Sequence, residues 1–241
     1  IFEAVAAKVE DVPCATWLGA GSAGHFVKMV HNGIEYAVMQ LIAETYDVLK
    51  RGLKYSPAEI HGVFNSWNSG EQRSYLLEIT SHIFRKIDSE TGLYLVDEVL
   101  AEAHQKGTGM WTSQSAMELQ VPVPTIDLAV AMRDMSVFTA QRAEAAQQYP
   151  RALLQIEEQK ASLVAQLQQA LYSATLIAYA QGFALLRAAS IKYDYALDLA
   201  TVAQTWRGGC IIRAGLLDDI SAAYQAKGDR PRMGSVLDVE L

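Results

Sequence analysis

Gly24-His25-Phe26-Val27-Lys28-Met29-Val30-His31-Asn32-Gly33-Ile34-Glu35-Tyr36 begins a helical pattern that decides how the rest of the chain is read. Val27, Val30, Ile34, Val38 and Leu41 recur at helical spacing and predict a buried stripe on a helix from Gly24 to about Lys50, stopping at Gly52. Lys28, His31, Asn32 and Glu35 stand at i, i+3, i+4 and i+7, within roughly a 100° arc at about 100° per residue. One face thus presents an amine, an imidazole, an amide and a carboxylate, with Tyr36 at its border. Charged helix positions are ordinarily just solvated. Against that reading, His31, Asn32 and Tyr36 are poor choices for an exposed helix, where Ala, Glu, Lys and Gln serve better. Gly33 inside the helix costs about 1 kcal/mol relative to Ala, which suggests close approach of another backbone or a ligand.

Outward from this segment, only 6 prolines and 16 glycines interrupt 241 residues. The stretches between them are rich in Ala, Leu, Glu and Gln, so the fold class is all-α, with two long helices, one towards each end. Ser56-Pro57-Ala58-Glu59 is a capping-box signature that starts a second helix, ended by Asn68-Ser69-Gly70. Further helices are expected over 74–87, 95–103, 112–119, 126–148, 157–187, 194–205 and 210–227. The one short strand candidate lies at 15–18. Gly228-Asp229-Arg230-Pro231-Arg232 is a terminator. Residues 1–23 read as a lead-in segment, 24–230 as one helical domain, and 231–241 as an irregular tail.

Hydrophobic residues make up 51% and charged residues 20%, enough apolar material for a sizeable core. Net charge is −7, which argues against a general nucleic-acid footprint but leaves room for a locally basic pocket and an anionic small molecule. Lys106-Gly107-Thr108-Gly109 offers a flexible backbone, a cation and a hydroxyl, though a plain turn explains it equally. Arg133, on an otherwise apolar helix face, either forks onto a phosphate or pairs with Asp127 or Asp134. The histidines and the two cysteines, Cys14 and Cys210, have no metal-ligand spacing, so no metal is expected. Free thiols suit a reducing compartment. Gly19-Ala20-Gly21-Ser22-Ala23-Gly24 matches the dinucleotide fingerprint but has no second strand with its acidic residue about 20 positions on, and reads instead as a loop leading into the first helix. The apolar stretch 171–189 is interrupted by Tyr172, Ser173, Thr175, Gln181 and Arg187, which fits a buried helix better than a membrane span.

Four stretches together resemble the 6-phosphogluconate dehydrogenases: Gly24 to Tyr36, Lys106-Gly107-Thr108-Gly109-Met110-Trp111-Thr112, Tyr179-Ala180-Gln181-Gly182-Phe183, and Trp206-Arg207-Gly208-Gly209-Cys210-Ile211-Ile212-Arg213. Ala37 stands where that family usually has glycine. The resemblance implies that 24–230 is the all-helical C-terminal domain for substrate binding, catalysis and dimerisation, entered through 1–23 from an N-terminal Rossmann domain that holds most of the NADP and is missing here, and without the C-terminal tail. It implies oxidative decarboxylation of 6-phosphogluconate to ribulose 5-phosphate and CO2, in a cytoplasmic homodimer. Lys28 is then the general base, and Glu35 the general acid. His31 and Asn32 hold the sugar hydroxyls and carboxylate, and Tyr36, Lys106 and Arg133 hold the phosphate with Thr108 nearby. A lysine base must be neutral when it acts and a glutamate acid protonated, both of which burial favours. The chain alone is not expected to turn over. A related hydroxyacid dehydrogenase domain, or a non-catalytic dimerisation module, are the alternatives.

Overall fold

A computed structural model describes residues 1–149 and 160–227. The described residues form eleven helices: α1 Phe2–Val5, α2 Ala23–Asp47, α3 Pro57–Asn68, α4 Tyr75–Ile83, α5 Leu95–Glu98, α6 Thr108–Glu118, α7 Pro124–Ser136, α8 Thr139–Gln148, α9 Lys160–Tyr193, α10 Leu199–Trp206 and α11 Leu216–Lys227. Two dipeptide strands, β1 Lys8–Val9 and β2 Val12–Pro13, pair antiparallel around Glu10 and Asp11, both at positive φ. That hairpin, rather than 15–18, is where the strand pairing lies.

α2 is the hub. It packs most extensively on α9, then on α6 and α7. Its expected stripe is met: Val27, Val30, Ile34 and Val38 are buried, and Leu41 is half-buried beside buried Ile42. Each such side chain contributes about 1.5–3 kcal/mol when fully buried. Beyond Asp47 the helix continues as one π-helical turn, Val48–Gly52, with the Leu53 N–H reaching back to the Val48 carbonyl at 3.0 Å. α9 is long and apolar enough to cross a membrane by length and composition, but its stretch from Leu171 to Ala189 lies in the core. Gly182 lets α9 lie tightly against α2. A Cβ there would collide with Ile34 and come within 3.3 Å of Val30 Cγ1.

The capping box forms as expected: the Glu59 N–H donates to Ser56 Oγ, and the Ser56 N–H donates to the Glu59 carboxylate at 2.7 Å. Several expected boundaries move. The helix at 74–87 stops at Ile83, because Ile87 leaves to bridge Tyr94. The helix at 95–103 ends at Glu98, where Val99 turns extended with ψ 134°. The helix at 126–148 is two, α7 and α8, broken at Val137 and Phe138. The helices at 194–205 and 210–227 start late. Asp194 and Ala196 take positive φ before the Asp198 cap, and residues 207–215 form a turn centred on Gly209. Residues 157–159, the terminator at 228–232 and the tail at 231–241 lie outside the described residues. The glycine-rich lead-in to α2 is pinned: the Ala20 N–H donates to the Tyr195 carbonyl at 3.1 Å, and a Cβ on Gly19 would collide with that same oxygen.

Candidate active site

The polar arc of α2 survives as one connected cluster. Lys28 Nζ lies 3.2 Å from His31 Nδ1, and the same ring nitrogen lies 3.0 Å from Asn32 Oδ1. Asn32 Nδ2 donates to Thr108 Oγ1 at 3.2 Å. That last bond joins the helix to the Lys106–Gly109 segment, 76 residues away in sequence. Glu35 Oε2 lies 4.0 Å from His31 Nδ1, one turn on.

Gly107, at φ 96°, caps α6, so Thr108 and Gly109 are its first residues rather than a loop. α6 then lies against α2 with almost no clearance. A Cβ on Gly33 would stand 2.7 Å from Thr112 Cγ2 and 2.9 Å from its Oγ1. The Thr112 hydroxyl is within 2.9 Å of the Met29 carbonyl and 2.8 Å of the Thr108 carbonyl, so its proton ties α6 either to α2 or to its own first turn. A Cβ on Gly109 would meet the Tyr36 ring at 2.6 Å. The close approach anticipated at Gly33 is therefore that of α6. On sequence grounds Thr112 is only the start of a short helix. Its four-residue spacing from Thr108 is the one signal that links it to the cluster.

Tyr36 is buried rather than bordering the open face. Its ring packs with Ala129 and Val130 of α7, and its hydroxyl accepts the Lys106 backbone N–H at 3.4 Å. The Arg133 guanidinium stacks on the Tyr36 ring at 3.8 Å and donates to the His104 carbonyl at 3.1 Å. Among the described residues neither Asp127 nor Asp134 forms a salt bridge with it, and Asp134 is instead taken by Gln105. The Lys106 side chain is exposed. Tyr36, Lys106 and Arg133 thus gather at one end of the cluster that holds Lys28, His31, Asn32, Glu35 and Thr108.

The electrostatics differ between the titratable members. Burial first, and then the Lys28 charge, push His31 down to about 4, against a smaller opposing hydrogen bond from Asn32. The ring is therefore neutral at physiological pH. Burial raises the Glu35 carboxyl, while Lys28 and Arg133 pull it back. Lys28 itself is exposed, so the described residues do not supply the burial expected of a lysine base. His31 is 1% exposed, its Nε2 has no hydrogen-bond partner among the described residues, and its ring meets Trp206 edge-on at 5.7 Å. Sequence reasoning misses this role of Trp206, which lies 175 residues from His31 with no local pattern to link them. A separate, mostly apolar cleft opens towards the C-terminal end of α2, between Ile42, Tyr179, Ile212 and Arg213. It contains none of the groups above.

Residues 24–236 match the family model for the 6-phosphogluconate dehydrogenase C-terminal domain. The chain is 47% identical over 226 residues to the decarboxylating 6-phosphogluconate dehydrogenase of Lactococcus lactis subsp. cremoris, covering 93% of this chain and 48% of that protein. It is 48% identical over 225 residues to the NADP(+)-dependent, decarboxylating enzyme of Bacillus subtilis, with 93% and 48% coverage. Among solved structures it superposes on Plasmodium falciparum 6-phosphogluconate dehydrogenase, described in its apo form and in complex with NADP+ and with 6-phosphogluconate. The TM-score is 0.93 at 43% identity, over 96% of this chain and 50% of that one. The chain spans about half the length of the relatives it matches.

Proposed function

The chain belongs to the 6-phosphogluconate dehydrogenase family through its C-terminal domain, and from that premise we propose that it supplies the substrate-binding and proton-transfer half of an enzyme oxidising and decarboxylating 6-phosphogluconate. The hydrogen bond from Asn32 to Thr108 carries this reading, because it brings two separately recognised motifs into one cluster of a base, an acid and hydrogen-bonding groups.

NADP, when bound, would accept hydride from C3 of the substrate. The described residues do not fit a dinucleotide site of their own. Residues 19–24 lead into α2 without a parallel strand before them, and the described strands are two antiparallel dipeptides. The coenzyme is therefore assigned mainly to a domain outside these residues.

Lys28 takes the 3-hydroxyl proton as hydride leaves, and its ammonium then polarises the new C3 carbonyl. The bond to the carboxylate breaks, CO2 leaves, and the electrons remain on an enediol. Glu35, whose burial favours the protonated form, delivers its proton to C1 of that enediol to give ribulose 5-phosphate. His31 and Asn32 hold the hydroxyls and carboxylate. Arg133, held by the Tyr36 ring and the His104 carbonyl, presents a guanidinium to the phosphate with Lys106, Tyr36 and Thr108. A homodimer is supported by α8, which buries none of its residues, and by exposed Leu128, Met135 and Phe138 nearby. The acidic net charge and free thiols suit a cytoplasmic protein without a nucleic-acid partner.

Calorimetry of the chain with 6-phosphogluconate and with gluconate tests the site. Binding of the first and not the second is expected, and Arg133→Ala weakens it about 10–100-fold, the loss of one charge-assisted hydrogen-bonded pair. Equal binding of gluconate would reject the phosphate assignment. In an enzyme that also carries the coenzyme domain, Lys28→Met and Glu35→Gln each lower turnover about 10²–10⁴-fold. Near-normal turnover in both would reject the roles of base and acid.

A further inference from the structure

One ring nitrogen in the cluster has two neighbours that make opposite demands on it. His31 Nδ1 lies 3.2 Å from the Lys28 amine and 3.0 Å from the Asn32 carbonyl oxygen. A ring nitrogen carries either a hydrogen or a lone pair. An ammonium can only donate, so beside charged Lys28 the Nδ1 atom must be bare. The Asn32 carbonyl can only accept, so as the amide now stands Nδ1 must carry hydrogen. The two contacts are compatible only when Lys28 is a neutral amine.

We propose that the hydrogen-bonded chain Lys28–His31–Asn32–Thr108 reverses its polarity with the charge on Lys28. With Lys28 neutral, His31 Nδ1–H donates to Asn32 Oδ1 and Asn32 Nδ2 donates to Thr108 Oγ1. The Thr108 hydroxyl proton is then free to point outward. With Lys28 charged, the single His31 hydrogen sits on Nε2, and the ammonium donates to bare Nδ1. The Asn32 amide turns over, at no cost in shape, so that Nδ2 faces Nδ1 and Oδ1 faces Thr108. The Thr108 hydroxyl must now donate inward to Asn32. The two arrangements differ by one proton on Lys28, while His31, Asn32 and Thr108 keep their totals. In the reaction proposed above that proton comes from the substrate hydroxyl; in the free protein it comes from solvent. Thr108 therefore presents a donor to ligand in one state and only an acceptor in the other, and His31 and Asn32 act as positioning residues between it and Lys28.

Three observations support a binary switch. His31 is too buried to exist as an imidazolium near neutrality, which removes the doubly protonated form. Among the described residues Nε2 has no hydrogen-bond partner fixing its state, and the His31 ring meets the Trp206 ring edge-on. The other titratable groups around Lys28 and His31 are Glu35 on the same helix, Arg133 of α7 acting on Glu35, and the Cys210 thiol after α10, which feels the Lys28 charge. None of these is within 3.5 Å of Nδ1.

The switch depends on the functional reading only for the source of the proton, and its test needs neither substrate nor turnover. Nitrogen-15 spectra of the histidine-labelled full chain distinguish protonated from bare ring nitrogens. The His31 signals are assigned by their loss in His31→Asn. In Lys28→Arg, which keeps a cation, the hydrogen is expected on Nε2; in Lys28→Met, which has none, on Nδ1. The same tautomer in both variants, or a doubly protonated ring at neutral pH, overturns the proposal while leaving the enzyme assignment intact. Should either variant fail to fold, the wild-type chain followed from neutral to strongly alkaline pH must show the same interchange, and one tautomer throughout overturns it.

Discussion

Gly33→Ala and Gly62→Ala are the same chemical change inside a helix, and the structure assigns them opposite signs. In a free helix each would stabilise by about 1 kcal/mol through propensity. At Gly62 in α3 a Cβ meets nothing within 4 Å, so that gain is realised. At Gly33 the new methyl would stand 2.7, 2.9 and 3.0 Å from three atoms of Thr112, which is fully buried and cannot swing aside. Forcing α6 away costs about 1–3 kcal/mol, as overpacking of a core does. Losing the Thr112 hydroxyl contacts adds about 0.5–1.5 kcal/mol. After the propensity gain the net is about 2 kcal/mol of destabilisation. For a domain of this size that lowers Tm by about 4–8 °C. Urea unfolding followed by circular dichroism gives the free energies. Thr112→Ser removes the closest atom, Cγ2, so the double variant should recover about 1 kcal/mol beyond additivity. A Gly33→Ala chain as stable as Gly62→Ala would refute the reasoning, because α6 would then yield to α2 without cost.

Gly182→Ala presses a methyl into fully buried Ile34 and should cost about 1–3 kcal/mol, read as a fall in the urea midpoint at unchanged slope. Acid should expose His31. Its folded value of about 4 lies below the ordinary histidine value of 6.5, so the unfolded chain binds the extra proton in between, and stability is lost as pH falls through that window. The loss is about 3 kcal/mol and should vanish in His31→Gln. Unfolding at about pH 7 and about pH 4.5 measures it, and parallel losses in both proteins would contradict a buried neutral ring.

The buried stripe of α2 was legible because it depends only on a 3.6-residue period, which the chain keeps for 25 residues. The reactive arc was legible for the same reason, since spacing alone puts Lys28, His31, Asn32 and Glu35 side by side. The Ser56 capping box was equally local. What was hidden depends on other elements. Nothing within 95–103 says that Val99 turns extended, and the break between α7 and α8 falls at Val137 and Phe138 with no glycine or proline to mark it. Tyr36 looked like a rim residue until α7 covered it. Arg133 offered two carboxylates within its own helix and uses neither, because the Tyr36 ring and the His104 carbonyl come from elsewhere. Lys28 is exposed while His31 is buried and Asn32 and Glu35 are half-buried, a difference within one arc that packing partners set and spacing does not.

The glycines where α2 meets α6 and α9 have a mechanical consequence. Gly33 receives α6, Gly182 of α9 receives Ile34, and Gly109 receives Tyr36, so the helix is keyed like a shaft at three points around its circumference. Advancing it by one residue would move it about 1.5 Å and turn the reactive arc through about 100°. No keyway would then line up. Any displacement that slid or turned α2 would therefore have to break all three contacts at once.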